Sequence, residues 1–170
     1  LTEIINILLT NLTKDVLDCN GTIDKYMGDC IMAFWNAPLE DEEHAENAVE
    51  AAKRMILTME RVNNELKESG QSPFDLKIGV GLGTGFCVVG NMGSDQRFDY
   101  TVLGDVVNLS SRLEGQTKTY GVTAVLSSYT VDDLGLQKEN IIEIDKIRVK
   151  GKKEPEIIFG LVASKVEPQE

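Results

Sequence analysis

Two charged side chains flank a predicted turn near the start of the chain. Lys25 and Asp29 belong to the stretch Lys25-Tyr-Met-Gly-Asp29, which has apolar runs on both sides. Gly28 can adopt the dihedral angles of a tight turn, so the pattern predicts a β-hairpin over 22–35 with Asp29 at its tip. A carboxylate held in this way is suited to a hard divalent cation such as Mg²⁺. Taken alone, the stretch fits better with an ordinary turn residue at 29 and a solvated lysine at 25.

Two further groups of polar residues could contribute to a binding site. Asn108 and Arg112 lie in a predicted short helix over 105–113, and their spacing of four puts both side chains on one helix face. Lys150 and Lys152 belong to a basic segment over 146–153 in an otherwise acidic chain. In isolation the first pair is typical of an exposed polar helix face, and the second is typical of a solvated basic hairpin.

Helices and short strands must position these residues. Apolar residues spaced three and four apart predict one amphipathic helix over 1–19 and another over 45–66. Alternation over 75–83 predicts a strand, with 86–89 as its antiparallel partner and 83–85 as the turn between them. The segment 90–104 reads as a polar loop, and further strands are predicted over 122–126, 141–144 and 157–162. The alternating glycines at 79–85 lie within a strand and do not open a helix, which argues against a dinucleotide-binding loop.

Composition limits the classes of function. A chain of 170 residues with 42% hydrophobic residues fits one domain with a substantial core. The net charge of −11 and the lack of a basic stripe argue against binding to nucleic acid. The single histidine, His44, gives no basis for a histidine-rich metal site. The three cysteines match no zinc spacing. No apolar run is long enough to span a membrane, so we predict a cytoplasmic domain without direct membrane insertion.

Three motifs, in order along the chain, carry a resemblance to a known family. The stretch 91–114, which reads NMGSDQRFDYTVLGDVVNLSSRLE, resembles the signature of class III nucleotide cyclase catalytic domains, as does 25–35. Val149-Lys-Gly-Lys152 resembles the phosphate-binding lysine motif of that family. The resemblance implies an α+β fold with a ferredoxin-like, palm-type antiparallel sheet flanked by helices. It places the catalytic domain at 1–163 and leaves 164–170 as a C-terminal tail.

The resemblance also implies a reaction. An adenylyl cyclase converts ATP to 3′,5′-cyclic AMP and pyrophosphate by attack of the ribose 3′ oxygen on the α-phosphorus, so negative charge builds on several oxygens. In the family, two Mg²⁺ or Mn²⁺ ions held by two aspartates stabilise this negative charge. Asp29 matches one of those aspartates. Asn108 matches the residue that orients the ribose, and Arg112 the one that stabilises the transition state. Lys150 is the first choice for binding the triphosphate, with Lys152 second.

A separate pair would select the base. Lys25 occupies a position that is lysine in adenylyl cyclases and glutamate in guanylyl cyclases, because lysine can donate to a ring nitrogen of adenine. By motif spacing its partner is Thr101, whose hydroxyl faces the adenine amino group in this interpretation. A Lys-Thr pair resembles the bacterial adenylyl cyclase type. Asp99, two residues upstream, is the alternative partner if the register is shifted.

The resemblance implies partners as well. The family forms its sites at a subunit interface, so we expect a homodimer, with regulatory domains attached in the full-length protein. The family's first metal aspartate would precede Leu1, in a strand absent from these residues; if the chain were the whole molecule, we would expect impaired metal binding and little turnover. The alternatives are a noncatalytic cyclase-like module and, less favoured, a guanylyl cyclase. Met27-Gly-Asp-Cys30 does not match the turn of a diguanylate cyclase.

Overall fold

The computed structural model describes residues 1–148 and 153–162 of the chain. In chain order, its elements in that part are α1 (Thr2–Asp18), β1 (Thr22–Met27), β2 (Cys30–Phe34), α2 (His44–Glu68), β3 (Val80–Leu82), β4 (Val88–Ser94), β5 (Arg97–Leu103), α3 (Asp105–Tyr120), β6 (Ala124–Ser127), α4 (Ser128–Asp133), β7 (Ile141–Ile147) and β8 (Glu156–Leu161). The predicted α+β class is therefore confirmed. No helix in the described residues is both long enough and apolar enough to cross a membrane.

A four-stranded sheet in the order β3-β6-β8-β7 forms the centre of the molecule. Its β3–β6 pair is parallel, whereas β8 runs antiparallel to both of its neighbours. All four residues of β6 are buried, because helices cover both faces of this sheet. Ala124 and Leu126 pack with α2 and α4, and Val125 packs with α3. The sheet is thus the middle of three layers, with α3 alone on one side.

The β1–β2 hairpin forms a separate two-stranded sheet next to α1. Leu8 and Leu12 of α1 pack against Met59 of α2, and Ile31 of β2 covers this cluster. The indole nitrogen of Trp35 donates a hydrogen bond of 2.7 Å to the carbonyl of Cys19, which ties the end of the hairpin to the end of α1. The predicted hairpin and both long helices are confirmed with small differences in their ends.

The alternating glycines have a packing role. Val80 and Leu82 point to the α2 side of the sheet. The glycines that alternate with them, Gly79, Gly81 and Gly83, therefore face α3. A Cβ on Gly81 would meet the backbone of Ser110 and Glu114, and a Cβ on Gly79 or Gly83 would also collide with α3 side chains. The backbone of this segment therefore lies directly against the helix that carries Asn108 and Arg112.

Two of the local predictions were wrong. The segment 86–89 does not pair with β3, whose hydrogen-bonded neighbour is β6. Instead β4 pairs with β5 in a ribbon that covers most of 90–104, which was predicted to be a loop. Most residues of the ribbon are exposed and only Thr101 and Val102 in it are buried, so its sequence shows no continuous buried face. In addition, α3 continues beyond 113 to Tyr120 and ends at Gly121, which adopts a left-handed conformation with φ of 65°.

A hydrogen bond between Tyr120 and Asp145 connects the end of α3 to β7. It lowers the pKa of the Asp145 carboxyl and raises the pKa of the Tyr120 hydroxyl. Because the carboxyl pKa is lower in the folded state, its contribution to stability is complete above the unfolded pKa of about 4 and is lost as the pH falls through the folded pKa. We expect Tyr120→Phe to reduce the loss of stability between pH 5 and pH 3, measured by urea unfolding at each pH. Tyr129→Phe, at an exposed tyrosine with no described hydrogen bond, is the control and should leave that loss unchanged.

Candidate functional site

A buried carboxylate connects the two predicted base-selecting residues. Asp24 lies on β1, and its Oδ2 accepts hydrogen bonds from the Thr101 hydroxyl at 2.7 Å and from the Val102 amide at 3.0 Å. The Lys25 Nζ lies 3.5 Å from the other carboxylate oxygen, Oδ1. The Asp24 side chain is 1% exposed, whereas that of Lys25 is 44% exposed. Lys25 and Thr101, from different sheets, therefore lie beside one carboxyl group.

A β-bulge in β1 explains how neighbouring side chains can meet in this way. The register of the hairpin shifts between Ile23 and Lys25, which pair with Ala33 and Met32, so Asp24 has no partner across the ladder. A bulge bends its strand and redirects side chains that would otherwise alternate between the two faces. The same displacement lets Asp24 reach β5, although β1 and β5 share no backbone ladder.

Sequence reasoning identified Lys25 and Thr101 in this region but missed Asp24 between them. The residue precedes Lys25 directly, and in a regular strand the two side chains would point to opposite faces. The available signal was the adjacent charged pair Asp24 and Lys25 within a predicted strand, since a charge that becomes buried requires partners. The alternative partner Asp99 is exposed and has no described contact with Lys25 or Asp24.

Asp29 lies at the tip of the β1–β2 hairpin. Met27 pairs with Cys30, which leaves Gly28 and Asp29 as the two turn residues, and Gly28 has a φ of 64°. This left-handed conformation suits glycine, so the turn is specified by its sequence. The Asp29 side chain is exposed, which leaves its oxygens open to a ligand.

The fit of a divalent cation to Asp29 depends on what else surrounds the ion. Within 1–148 and 153–162 there is no group of three or more histidine, cysteine or acidic residues that could hold a metal. Mg²⁺ commonly keeps several waters and binds through one or two carboxylates together with substrate phosphates. An exposed carboxylate on a fixed turn is compatible with that kind of shared site, so Asp29 is the residue here that would hold such an ion.

Acidic groups gather near the start of β2. Burial is the main cause that raises the pKa of the Cys30 thiol, and the negative charges of Glu114 and Asp29 raise it further. Glu114 belongs to α3, so the hairpin tip lies within electrostatic range of that helix. A cation would be favoured in this region, whereas a polyanion would need compensating positive charge.

Asn108 and Arg112 lie on the exposed side of α3. Leu109 and Leu113, each the next residue along the helix, are buried against Val125 and Ile158 of the central sheet. The predicted common face of Asn108 and Arg112 is consistent with this packing, since residues four apart are neighbours on a helix. Two of the five donors of an exposed guanidinium can bind one phosphate.

The structure unites some of the predicted site residues and separates others. Lys25 and Thr101 are linked through Asp24, as described above. In the described part of the chain, no hydrogen bond or ion pair joins Asp29 to Asn108 or Arg112. The predicted phosphate-binding residues Lys150 and Lys152 lie outside the described residues.

Comparison with known proteins gives a consistent family. The family described as the adenylate and guanylate cyclase catalytic domain matches residues 3–162. Adenylate cyclase 1 of Rhizobium meliloti (strain 1021) is 43% identical over 112 residues, which is 66% of this chain and 16% of that protein. The adenylate cyclase of Anabaena cylindrica is 34% identical over 163 residues, which is 94% of this chain and 32% of that protein. The chain therefore spans a third or less of the length of these relatives.

A solved structure gives the same result for the fold. The crystal structure of the guanylyl cyclase Cya2 superimposes with a TM-score of 0.81 and 30% sequence identity, covering 95% of this chain and 80% of that one. This similarity confirms the predicted cyclase-type α+β fold. Two of these proteins are named adenylate cyclases and one is named a guanylyl cyclase. The base preference of this chain therefore depends on its own residues.

Proposed function

Because the chain belongs to the adenylate and guanylate cyclase catalytic domain family, we propose that the protein carrying it converts ATP to 3′,5′-cyclic AMP and pyrophosphate. The observation that carries the choice of ATP is the connection of Lys25 and Thr101 through Asp24. Lys25 is the donor that a ring nitrogen of adenine requires, and a guanine site would need an acceptor at that position. The contact of Thr101 with Asp24 supports Thr101 over Asp99 as the partner residue.

The face of α3 that carries Asn108 and Arg112 supplies the other substrate contacts in this proposal. Asn108 would fix the ribose so that its 3′ oxygen points at the α-phosphorus, and this positioning is a large part of catalysis of phosphoryl transfer. Arg112 would donate hydrogen bonds to the phosphate oxygens as negative charge builds on them in the transition state. Lys150, or Lys152 as second choice, would bind the leaving pyrophosphate.

Asp29 is the proposed ligand of Mg²⁺ or Mn²⁺ in this chain. When bound, the metal would stabilise negative charge on the attacking ribose oxygen and on the phosphates. The acidic surroundings of the hairpin tip, where Glu114 and Asp29 both raise the pKa of Cys30, favour a cation at this place. The net charge of −11 gives a second reason to expect a metal, because a triphosphate must be brought to an acidic protein.

We propose a homodimer as the active form, within the catalytic domain of 1–163 and with regulatory domains attached elsewhere in the full-length protein. The β4–β5 ribbon and the short segment before it expose large apolar side chains, namely Phe86, Val88, Phe98 and Leu103. Several such residues on one extension are typical of an interaction surface. The hairpin tip also exposes Tyr26 and Met27. A second copy of the chain would cover these residues and bring an Asp29 to the α3 face of its partner.

The proposal is tested with the full-length natural protein and equal concentrations of ATP and GTP in Mg²⁺ or Mn²⁺, with both cyclic products quantified by mass spectrometry. We expect cyclic AMP as the main product, and no product after chelation of divalent ions with EDTA. Cyclic GMP as the main product would overturn the base assignment and favour the guanylyl cyclase alternative, for which the similarity to Cya2 is the supporting observation. Absence of both products would overturn the enzymatic proposal in favour of a noncatalytic cyclase-like module.

A further inference from the structure

We propose that Asp24 is a positioning residue that makes the nucleotide site selective for adenine, an inference that rests on the proposed function of the same site. Its two carboxylate oxygens contact different members of the base-selecting pair. Oδ2 accepts the hydrogen bond from Thr101, and Oδ1 faces the Lys25 ammonium. The first contact determines which hydrogen-bonding group Thr101 presents to a base.

A threonine hydroxyl is ambivalent, since it has one proton to donate and lone pairs that accept. In this structure the hydroxyl proton is committed to Asp24 across 2.7 Å. The Thr101 oxygen is therefore left with lone pairs alone for a ligand. Such an acceptor suits the amino group of adenine, which donates, and repels the 6-oxygen of guanine, which also accepts. Without Asp24 the hydroxyl could rotate and serve either base.

The second contact acts on Lys25. Oδ1 of Asp24 is buried and has no hydrogen-bond partner in the described structure, and the Lys25 Nζ lies 3.5 Å from it. Because a buried carboxylate oxygen without a partner is costly, this arrangement holds the ammonium at the same carboxylate that binds Thr101. Lys25 would otherwise extend into solvent, as its 44% exposure permits.

Asp24 is held firmly enough for this role. The Val102 amide donates to the same Oδ2 that accepts from Thr101, at 3.0 Å, so the carboxylate is anchored to the backbone of β5. The bulge at Asp24 places the residue on the side of its strand that faces β5. A carboxylate on a strand, fixed by a backbone amide, is held in a more precise position than a carboxylate on a mobile loop.

The test measures base preference in binding, so that it does not depend on turnover. The probes are 3′-deoxy-ATP and 3′-deoxy-GTP, which lack the attacking oxygen, and the readout is the ratio of their dissociation constants with the full-length protein in Mg²⁺. We expect the wild-type protein to prefer the adenine nucleotide and Asp24→Ala to reduce that preference about tenfold, since a directed hydrogen bond is lost. A merely structural role would weaken both nucleotides equally and leave the ratio unchanged.

Four further variants make the result specific. Thr101→Ser keeps the hydroxyl and should keep the preference, whereas Thr101→Val should lose it about tenfold. Each of Asp24→Ala and Thr101→Val removes the same hydrogen bond, the one between Thr101 and Asp24. The double variant should therefore differ from Thr101→Val by less than about threefold in the ratio of dissociation constants. If Asp24→Ala does not fold, Asp24→Asn replaces it; this variant keeps an oxygen for Val102 but loses the charge beside Lys25, and should reduce the preference about threefold to fivefold.

Two results would overturn the inference: no preference for adenine in the wild-type protein, or an unchanged ratio in the Asp24 variant that folds. These results are separate from failure of the proposed function, which is the absence of cyclic AMP in the turnover assay. A protein that prefers 3′-deoxy-ATP through Asp24 but makes no cyclic nucleotide would support this inference and contradict the enzymatic proposal.

Discussion

Gly81→Ala is expected to lower the free energy of unfolding by about 3 kcal/mol and to remove most of the proposed cyclase activity. The new Cβ would overlap the backbone carbonyl of Ser110 and would lie 2.5 Å from the backbone nitrogen of Glu114. Backbone atoms in the middle of a helix cannot rotate away as a side chain can. The clash must therefore be relieved by moving α3 away from β3, which would also move Asn108 and Arg112.

Gly115→Ala is the matched control. Gly115 lies within α3 itself, is exposed, and would place its Cβ in open space, with no atom within 4 Å. Because alanine is the better helix former, this variant should be more stable by about 0.5–1 kcal/mol and should keep full activity. Urea unfolding followed by circular dichroism, together with cyclic AMP assays on the same preparations, measures both effects. If Gly81→Ala were as stable as the wild-type protein, the close packing of α3 on β3 described above would be wrong.

The elements predicted well were those whose signals are local. The helical spacing of apolar residues in α1 and α2, and the Gly28 turn between two apolar runs, determine structure over a few neighbouring residues. The α+β class followed from these elements, and the family resemblance supplied the cyclase-type architecture. The roles of Lys25, Asp29 and Thr101 stay predictions; Lys25 and Asp29 lie on the predicted hairpin, whereas Thr101 lies on a strand that was predicted to be a loop.

The elements predicted wrongly depend on contacts between distant parts of the chain. The alternation around β3 correctly indicated a strand, but its partner β6 lies more than 40 residues further on, and the nearest apolar segment was taken instead. The glycines at every second position were used only to reject a dinucleotide-binding loop, although they form the face on which α3 packs. In the β4–β5 ribbon only the neighbouring residues Thr101 and Val102 are buried, so the ribbon has no periodic pattern that would have revealed it.

Asp24 shows how a site residue can be hidden from sequence reasoning. Its role depends on a one-residue bulge and on a strand that begins more than 70 positions later, and neither leaves a local pattern. The adjacent Lys25 matched a motif, which drew the interpretation to the lysine. A charged residue within a predicted strand was a sign that partners exist, but only the fold identifies Thr101 and Val102 as those partners.

Arg112→Ala is expected to lower kcat for cyclic AMP formation on the order of 100-fold to 1000-fold, with a much smaller change in KM for ATP. The proposed contact is with phosphate oxygens as they gain negative charge, so its loss raises the energy of the transition state more than that of bound ATP. The side chain is exposed, and in the described residues it has no hydrogen bond or ion pair, so stability should change by less than about 0.5 kcal/mol. Thermal unfolding of the same sample checks this point.

Two variants separate the role of Arg112 from general effects of charge on α3. Lys118→Ala removes a positive charge from an exposed position near the end of the same helix and should leave kcat within about twofold of the wild-type value. Arg112→Lys keeps the charge but loses the planar pair of donors, so it should recover only part of the lost rate. Equal losses of kcat in Arg112→Ala and Lys118→Ala would mean that removing either positive charge only makes the acidic protein attract ATP less well. A large rise in KM with an unchanged kcat would instead make Arg112 a residue for ground-state binding, and the stabilisation of the transition state would have to come from elsewhere in the site.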